Sequence, residues 1–456
     1  MIKELQVKNF KSWKDTGPLR LAPLTGLFGT NSSGKTSLLQ LLLMLKQTVE
    51  STDRKRVLHT GDDISIVDLG TFSDLIYRHD TTVPLEISLE WGLHKPLRIN
   101  DPEKRDTALF EIGDLQFKVE VDGSGTPGTP PFVRRFSYSF GQNVFGMALR
   151  EPASKKRQYE LISKGYQAKK QVGRPWPLPS PVKFYGFPDE VSGYFQNVGF
   201  LSEIVLGFEG LFRQTAYLGP LREYPKRIYT WAGEEPSDVG RKGELAVPAT
   251  LAARARGPYI SPGHHRRRQT LEARLAHWLR EMGIIESFSI KQIAQNRKDY
   301  EVTVSKTRQS PEVLITDVGF GLSQVLPVIV MCYYVEEGSI LLLEQPELHL
   351  HPSAQAWLAD IFIDVVNNRG VQIIVESHSE HFLRRLQRRI AEQKIENDKT
   401  ALYFCSVENS SSKTERLDVD MFGDITNWPT DFFGDEIGEI TAKTEAAMRR
   451  QGVMNQ

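Results

Sequence analysis

Gly29-Thr30-Asn31-Ser32-Ser33-Gly34-Lys35-Thr36 is the stretch that decides the fold. An apolar run, Leu24-Thr25-Gly26-Leu27-Phe28, leads into it, and a strongly helical one, Ser37-Leu38-Leu39-Gln40-Leu41-Leu42-Leu43-Met44-Leu45, leads out. Strand, glycine-bearing loop and helix in that order are what the P-loop pattern requires. Backbone N–H groups and the helix N-terminus cradle phosphates, the lysine reaches the β- and γ-phosphates, and the hydroxyl ligates Mg²⁺. Asn31, Ser32, Ser33, Gly34, Lys35, Thr36 and Ser37 are therefore expected to bind a nucleotide. Far downstream, Ile340-Leu341-Leu342-Leu343-Glu344-Gln345-Pro346-Glu347 reads as an apolar strand ending in carboxylates, the other half of such a site.

Composition narrows the class. The 456 residues suffice for two or three domains, or one large α/β domain with insertions. Lysine plus arginine equals aspartate plus glutamate, 57 against 57, so any nucleic-acid surface would have to be local. Two cysteines, Cys332 and Cys405, make neither a disulfide framework nor a zinc pattern, which suits the cytoplasm. The N-terminus has no signal-peptide core, and no apolar stretch is long enough for a membrane span.

Outward from the P-loop, Ile2–Phe10 alternates as a half-exposed strand, and Leu85–Trp91 and Phe117–Val121 read as strands of an antiparallel sheet. Proline- and glycine-rich loops interrupt the chain at 122–131 and 169–179. Apolar residues recur at helical spacing from 269 to 283, and no sustained heptad run predicts a coiled coil. Asp317-Val318-Gly319-Phe320-Gly321-Leu322-Ser323-Gln324 opens a helix running to Met331, with Asp317 expected as its cap. A helix over 353–367 follows, then an apolar strand, Val371–Val375, ending at Glu376-Ser377-His378-Ser379, where open α/β sheets place ligand sites.

These segments, taken in order, carry a resemblance. Val7-Lys8-Asn9-Phe10-Lys11-Ser12 before the P-loop, then Gly319–Gln324, Leu341–Pro352 and Glu376–Ser379, resemble the ABC-type ATPases of the SMC/RecF/OLD group. Within it the chain looks like the stand-alone ATPase subunits of Septu-type and PARIS-type anti-phage systems, as does the tail segment Asp424–Phe433. The resemblance implies a P-loop head of two lobes with a mixed sheet and insertions, an ATP and Mg²⁺ requirement, and an ATP-dependent homodimer or higher oligomer. Glu344 would stand at the Walker B position as a second metal residue beside Thr36. Gly319, Gly321, Ser323 and Gln324 would form the signature segment that meets the γ-phosphate held by the other copy. His349–Pro352 would occupy the D-loop position and His378 the γ-phosphate switch. Many such enzymes carry a glutamate where this chain has Gln345. Glutamine positions water but is no base, which implies slow turnover unless Glu347 takes the role.

The blander readings are plain. His378 alone would be an ordinary polar residue, and only its place after an apolar strand makes it a sensor. His349 and His351 lack the partners of a metal site. Arg222, in Tyr217–Tyr224, is a candidate phosphate or interface contact. The basic runs 264–268 and 384–389 could track DNA, but the second also reads as an amphipathic helix. A Q-loop residue is not evident, with Val67–Asp74 as candidate region. The expected organisation is an N-terminal lobe over 1–225 with a loop-rich insert at about 120–182, a mainly helical region over 226–300, and a lobe over 301–456 with a tail from about 412. Three functions fit: the regulatory ATPase of a bacterial defence complex with a separately encoded effector such as a nuclease, a RecF-like DNA-maintenance ATPase, and a self-contained nuclease. The third is disfavoured, because Asp418-Val419-Asp420 has no further α/β unit around it.

Overall fold

The computed structural model describes residues 1–456 apart from 101–107, 124–129, 151–156, 172, 174–176, 264–266, 430–431, 433–435 and 451–456; side chains at 94, 436–440 and 449 are also left undescribed. The first basic run and the end of the tail motif therefore lie partly outside the described residues.

Three sheets organise the chain. An antiparallel sheet in the order β2-β1-β5-β6-β7-β8-β9 is built from β1 (Ile2–Phe10), β2 (Trp13–Asp15), β5 (Leu85–Asn100), β6 (Ala108–Asp122), β7 (Phe132–Phe140), β8 (Asn143–Leu149) and β9 (Tyr159–Lys164), with β3 (Leu19–Arg20) paired to β1. The core sheet runs β10 (Thr215–Leu218), β15 (Ile340–Glu344), β16 (Gln372–Glu376), β4 (Leu24–Gly29), β17 (Thr400–Glu408), β18 (Ser411–Leu417). Its first five strands are parallel, and β18 returns as an antiparallel hairpin. A small sheet joins β11 (Tyr229–Thr230), β12 (Ser287–Gln292), β13 (Asp299–Ser305) and β14 (Val313–Leu314).

The central strands β4, β15 and β16 are largely apolar because both their faces are buried. Successive side chains point to opposite faces. Leu341, Leu343, Ile373, Val375, Leu24 and Phe28 therefore enter one core, with helices α5 (Ala246–Ala255), α6 (Leu271–Glu281), α7 (Gly321–Tyr334), α8 (Pro352–Arg369) and α9 (Glu380–Ala391). Ile340, Leu342, Ile374 and Leu27 enter a second core, shared with α1 (Lys35–Glu50), α4 (Leu201–Arg213) and the antiparallel sheet. The described residues also form two short helices, α2 (Phe72–Leu75) and α3 (Glu190–Tyr194), and the longer α10 (Glu436–Arg450). The mixed α/β class expected from the sequence is the one observed, and among the described residues no helix is long enough for a coiled-coil arm.

The stretch 120–182 carries β7, β8 and β9, not loops alone, because Phe132–Phe140 and Asn143–Leu149 pair locally into a meander. The 226–300 stretch holds α5 and α6 but also β11 and β12. Asp317 does not cap α7: it ends a 3₁₀ turn at Ile315–Asp317, and its carboxylate pairs with Arg227 at 2.9 Å. Asp418-Val419-Asp420 contributes one isolated bridge, Val419 to Ile425. Among the described residues no helix is long and apolar enough to cross a membrane.

Candidate functional site

Every strand end that matters points the same way. The carboxyl ends of parallel β10, β15, β16, β4 and β17 meet at one edge of the core sheet, where crevices form between strands that diverge into separate connections. The loop after β4 turns through Gly29 at φ +128° and Ser32 at φ +60° to Gly34 at φ +91°, which precedes α1. At Gly29 a Cβ would lie 2.0 Å from the Cys405 carbonyl of β17, and at Gly34 it would meet the Ser412 and Ser12 hydroxyls at 2.6 and 2.8 Å. Glycine is favoured at both by the positive φ, and at Gly29 a side chain would also push the β17 backbone away while at Gly34 it would displace the bracing Ser412, Ser12 and Trp13 side chains. Trp13 Nε1 donates to the Gly34 carbonyl at 3.1 Å, and Ser412 Oγ donates to Ser12 Oγ at 2.7 Å, so β2 and the β17–β18 hairpin brace the loop from outside.

A cavity of ≈ 320 Å³ opens above this loop, lined by Ser12, Asn31, Ser32, Ser33, Gly34, Lys35, Thr36, Ser37, Gln345, Glu376 and His378. Its size falls within the range of ligand pockets. The Lys35 ammonium donates to the Gly29 and Thr30 carbonyls at 3.1 and 2.6 Å, and burial lowers its pKa. Those carbonyls are weak partners for a cation, and phosphate oxygens would replace them with charge-assisted bonds. Thr36 Oγ1 donates to Glu376 Oε2 at 2.8 Å, not to Glu344.

Glu344 and Glu376 are register partners on adjacent strands. Burial first, then the Glu376 charge, pushes the Glu344 carboxyl up to about 7. Burial likewise raises Glu376, against the Thr36 bond and the Lys35 charge. Glu344 Oε1 accepts from the Tyr217 hydroxyl at 3.0 Å. Two desolvated carboxylates beside a threonine hydroxyl are hard oxygen donors of the kind Mg²⁺ takes, one or two together with substrate phosphates. Among the described residues no group of three or more His, Cys, Asp or Glu side chains forms a self-contained metal cage.

Gln345 lines the pocket at φ +43°, its backbone N–H donating to the Glu376 carbonyl at 2.9 Å. Glu347 does not line it. That carboxylate is buried, and its Oε1 accepts the His378 amide at 2.6 Å, so it carries the His378 loop. The His378 ring is exposed towards the pocket, with its pKa lowered by partial desolvation and by Lys35. Gly319, Gly321, Ser323 and Gln324 are not brought to the pocket of their own chain. Ser323 Oγ donates to the Phe320 carbonyl at 2.7 Å at the start of α7, and Phe320 packs against His349 and Tyr224. His351 caps α8 by accepting from the Ser353 amide. The 67–74 segment also lies outside the pocket lining.

Sequence reading assigned no role to Glu376, Tyr217 or Ser12. The signal for Glu376 was available, since an apolar run closed by glutamate at 372–376 repeats the pattern of 340–344. The arginines of α9 are all paired: Arg384 with Glu380, Arg385 and Arg389 with Asp360, and Arg388 with Glu392.

A protein-family model described as AAA ATPase domain matches residues 1–164 and 268–383. The chain belongs to the AAA ATPase domain family. Residues 395–442 of this ATPase match a second family, described as Protein of unknown function (DUF3696), and that segment supplies β17 and β18 beside the P-loop strand. A search of curated proteins finds no match. Among solved structures, the ATPase is similar to an SMC head bound to the C-winged helix domain of ScpA, at 10% identity and a TM-score of 0.43, covering 92% of this chain and 98% of that one. It is also similar to the SMC head domain from Thermotoga maritima, at 9% identity and a TM-score of 0.40, covering 92% and 99%.

Proposed function

We propose that this ATPase is an ATP-driven switch: it binds ATP and Mg²⁺ in the strand-end pocket, hydrolyses ATP slowly, and closes on it as a homodimer or higher oligomer. The observation that carries the reading is the split site. Phosphate-binding, carboxylate and switch residues converge on one pocket, while Gly319, Gly321, Ser323 and Gln324 stand elsewhere on their own chain, free to complete the pocket of another.

Lys35 and the N-terminus of α1 take the phosphates, with Lys35 leaving the Gly29 and Thr30 carbonyls. Mg²⁺ supplies neutralisation of phosphate charge when bound, and Thr36, Glu344 and Glu376 are the ligands this chain offers it. Gln345 orients water through its amide, and His378, neutral at pH 7, hydrogen-bonds the terminal phosphate. Glu347 is turned to the His378 amide, and the carboxylate that lines the pocket, Glu376, is taken by the Thr36 hydroxyl on the metal side, so in this reading neither serves as the base. Positioning without a base supports slow turnover and a long-lived bound state.

The cellular role in this reading is the regulatory subunit of a bacterial anti-phage complex, cytoplasmic, with a separately encoded effector such as a nuclease. The order of motifs from Val7 to Ser379 supports it. Affinity capture of the tagged protein from its own cells with ATP and Mg²⁺, followed by mass spectrometry, tests it. A stoichiometric nuclease or toxin-like companion is expected. Recovery of the ATPase alone, or with DNA, would replace this role with a RecF-like maintenance function.

A further inference from the structure

On the side of Glu344 away from the P-loop, the loop after β10 carries Arg222 into the interior. Leu218 pairs in register with Leu343, which sets this loop beside the Glu344 strand end. The loop is pinned at both sides, by the Gly219 amide on the Arg241 carbonyl and the Glu223 amide on the Lys242 carbonyl, each at 2.9 Å. Arg222 is only 9% exposed, yet its Nε and Nη1 have no hydrogen-bond partner. The acidic groups whose fields reach it are Tyr217, Glu344 and Glu347. Glu344 already accepts from Tyr217, and Glu347 gives Oε1 to the His378 amide. Glu347 Oε2 is itself buried without a partner.

Two orphans of opposite character thus share one interior. Burial lowers Arg222 to about 10, which leaves it a cation at neutral pH. A buried charge with unmade hydrogen bonds is costly, and such groups in native proteins mark catalytic or state-dependent roles. The Gln345 turn links the end of the Glu344 strand to Glu347, held at φ +43° with the Leu348 amide on the Gln345 carbonyl at 3.1 Å.

We propose that Arg222 is a positioning residue for hydrolysis, whose Nε and Nη1 donate to Glu347 Oε2 when nucleotide fills the P-loop, fixing the Gln345 turn and the His378 backbone. The pair holds the water-orienting and phosphate-sensing groups in one geometry without touching ATP. This inference rests on the pocket being an ATPase site.

The test is a double-mutant cycle in the full chain with Arg222→Met and Glu347→Gln, which keep volume and, at 347, the acceptor for the His378 amide. Three quantities are read: thermal midpoint without nucleotide, affinity for ATPγS, and kcat. Arg222→Met is expected to leave the nucleotide-free midpoint unchanged or higher, because it removes an unpaired buried charge. ATPγS affinity should stay within about threefold while kcat falls about tenfold or more, and the double variant should fall no further than the worse single. A lowered nucleotide-free midpoint, or additive kcat losses, would overturn the pairing alone. Failure of the unmutated chain to bind ATPγS would overturn the ATPase reading and the pairing with it.

Discussion

Glu344 and Glu376 face each other across adjacent strands, and their burial makes the nucleotide-free protein sensitive to pH in an unusual direction. Glu344 rises from 4.5 to about 7 on folding. Between those values the folded protein keeps a proton that the unfolded chain has lost, so stability falls as pH rises through the window and levels off above it. The difference amounts to roughly 3 kcal/mol for Glu344. Glu376 and Glu347, both raised by burial, act in the same sense, while His378, lowered, costs stability only as pH falls below its ordinary 6.5. Urea unfolding without nucleotide should therefore show a higher midpoint at pH 6 than at pH 8. Glu344→Gln, which still accepts from Tyr217, should raise stability at pH 8 and shrink the difference. A variant with the full difference intact would remove Glu344 as its source. Lys35 and Thr36 were legible because loop chemistry is local. Arg222 could be named as a candidate contact and Glu376 had its signal in the apolar run that it closes, but their neighbours come from strands that only folding sets side by side.

At the scale of elements, the P-loop is held by contacts the local sequence does not announce. β17 pairs with β4 from Leu24 to Gly29, and the hairpin it forms with β18 delivers Ser412 onto Ser12. The sequence reading treated the region beyond 412 as a tail, since neither alternation nor composition says which distant strand an edge will join. By contrast β4, β15 and β16 were legible as mainly apolar runs, the pattern of strands buried on both faces. The close approach of β4 and β17 gives a sharp expectation for Gly29→Ala. A methyl there would lie 2.0 Å from the Cys405 carbonyl, in a backbone region that L-residues avoid. Strain and clash together should cost about 2–4 kcal/mol, lowering the unfolding midpoint and ATP affinity at once. Gly319→Ala, where nothing lies within 4 Å of the added carbon, should leave both unchanged. Equal stability of the two variants, by thermal unfolding, would mean that β17 does not press on the loop.

At the scale of the whole molecule, the P-loop pocket and the start of α7 stand apart, and the proposed switch rests on that separation. Lys35, Thr36, Gln345, Glu376 and His378 share one pocket, whereas α7 begins elsewhere with Phe320 partly exposed and Gly319 facing open space. The signature resemblance supplied the expectation that these glycines serve another copy, and in the proposed reading they do so because, among the described residues, they do not line the pocket of their own chain. Gly319 offers a clean probe. A side chain there meets no atom of its own protomer, so Gly319→Glu should fold and bind ATP as the unmutated chain does, yet set a carboxylate against the phosphates of the facing copy. Light scattering with ATP and Mg²⁺ should show the unmutated protein moving from its 51.8 kDa monomer towards twice that mass, and Gly319→Glu remaining at the monomer value with ATP affinity intact. Lys35→Ala should also stay monomeric, but because it no longer holds ATP. The two variants separate loss of ligand from loss of closure. Dimerisation of Gly319→Glu at unmutated ATP concentrations would show that α7 does not face the second nucleotide, and the split site would then need another partner to complete it.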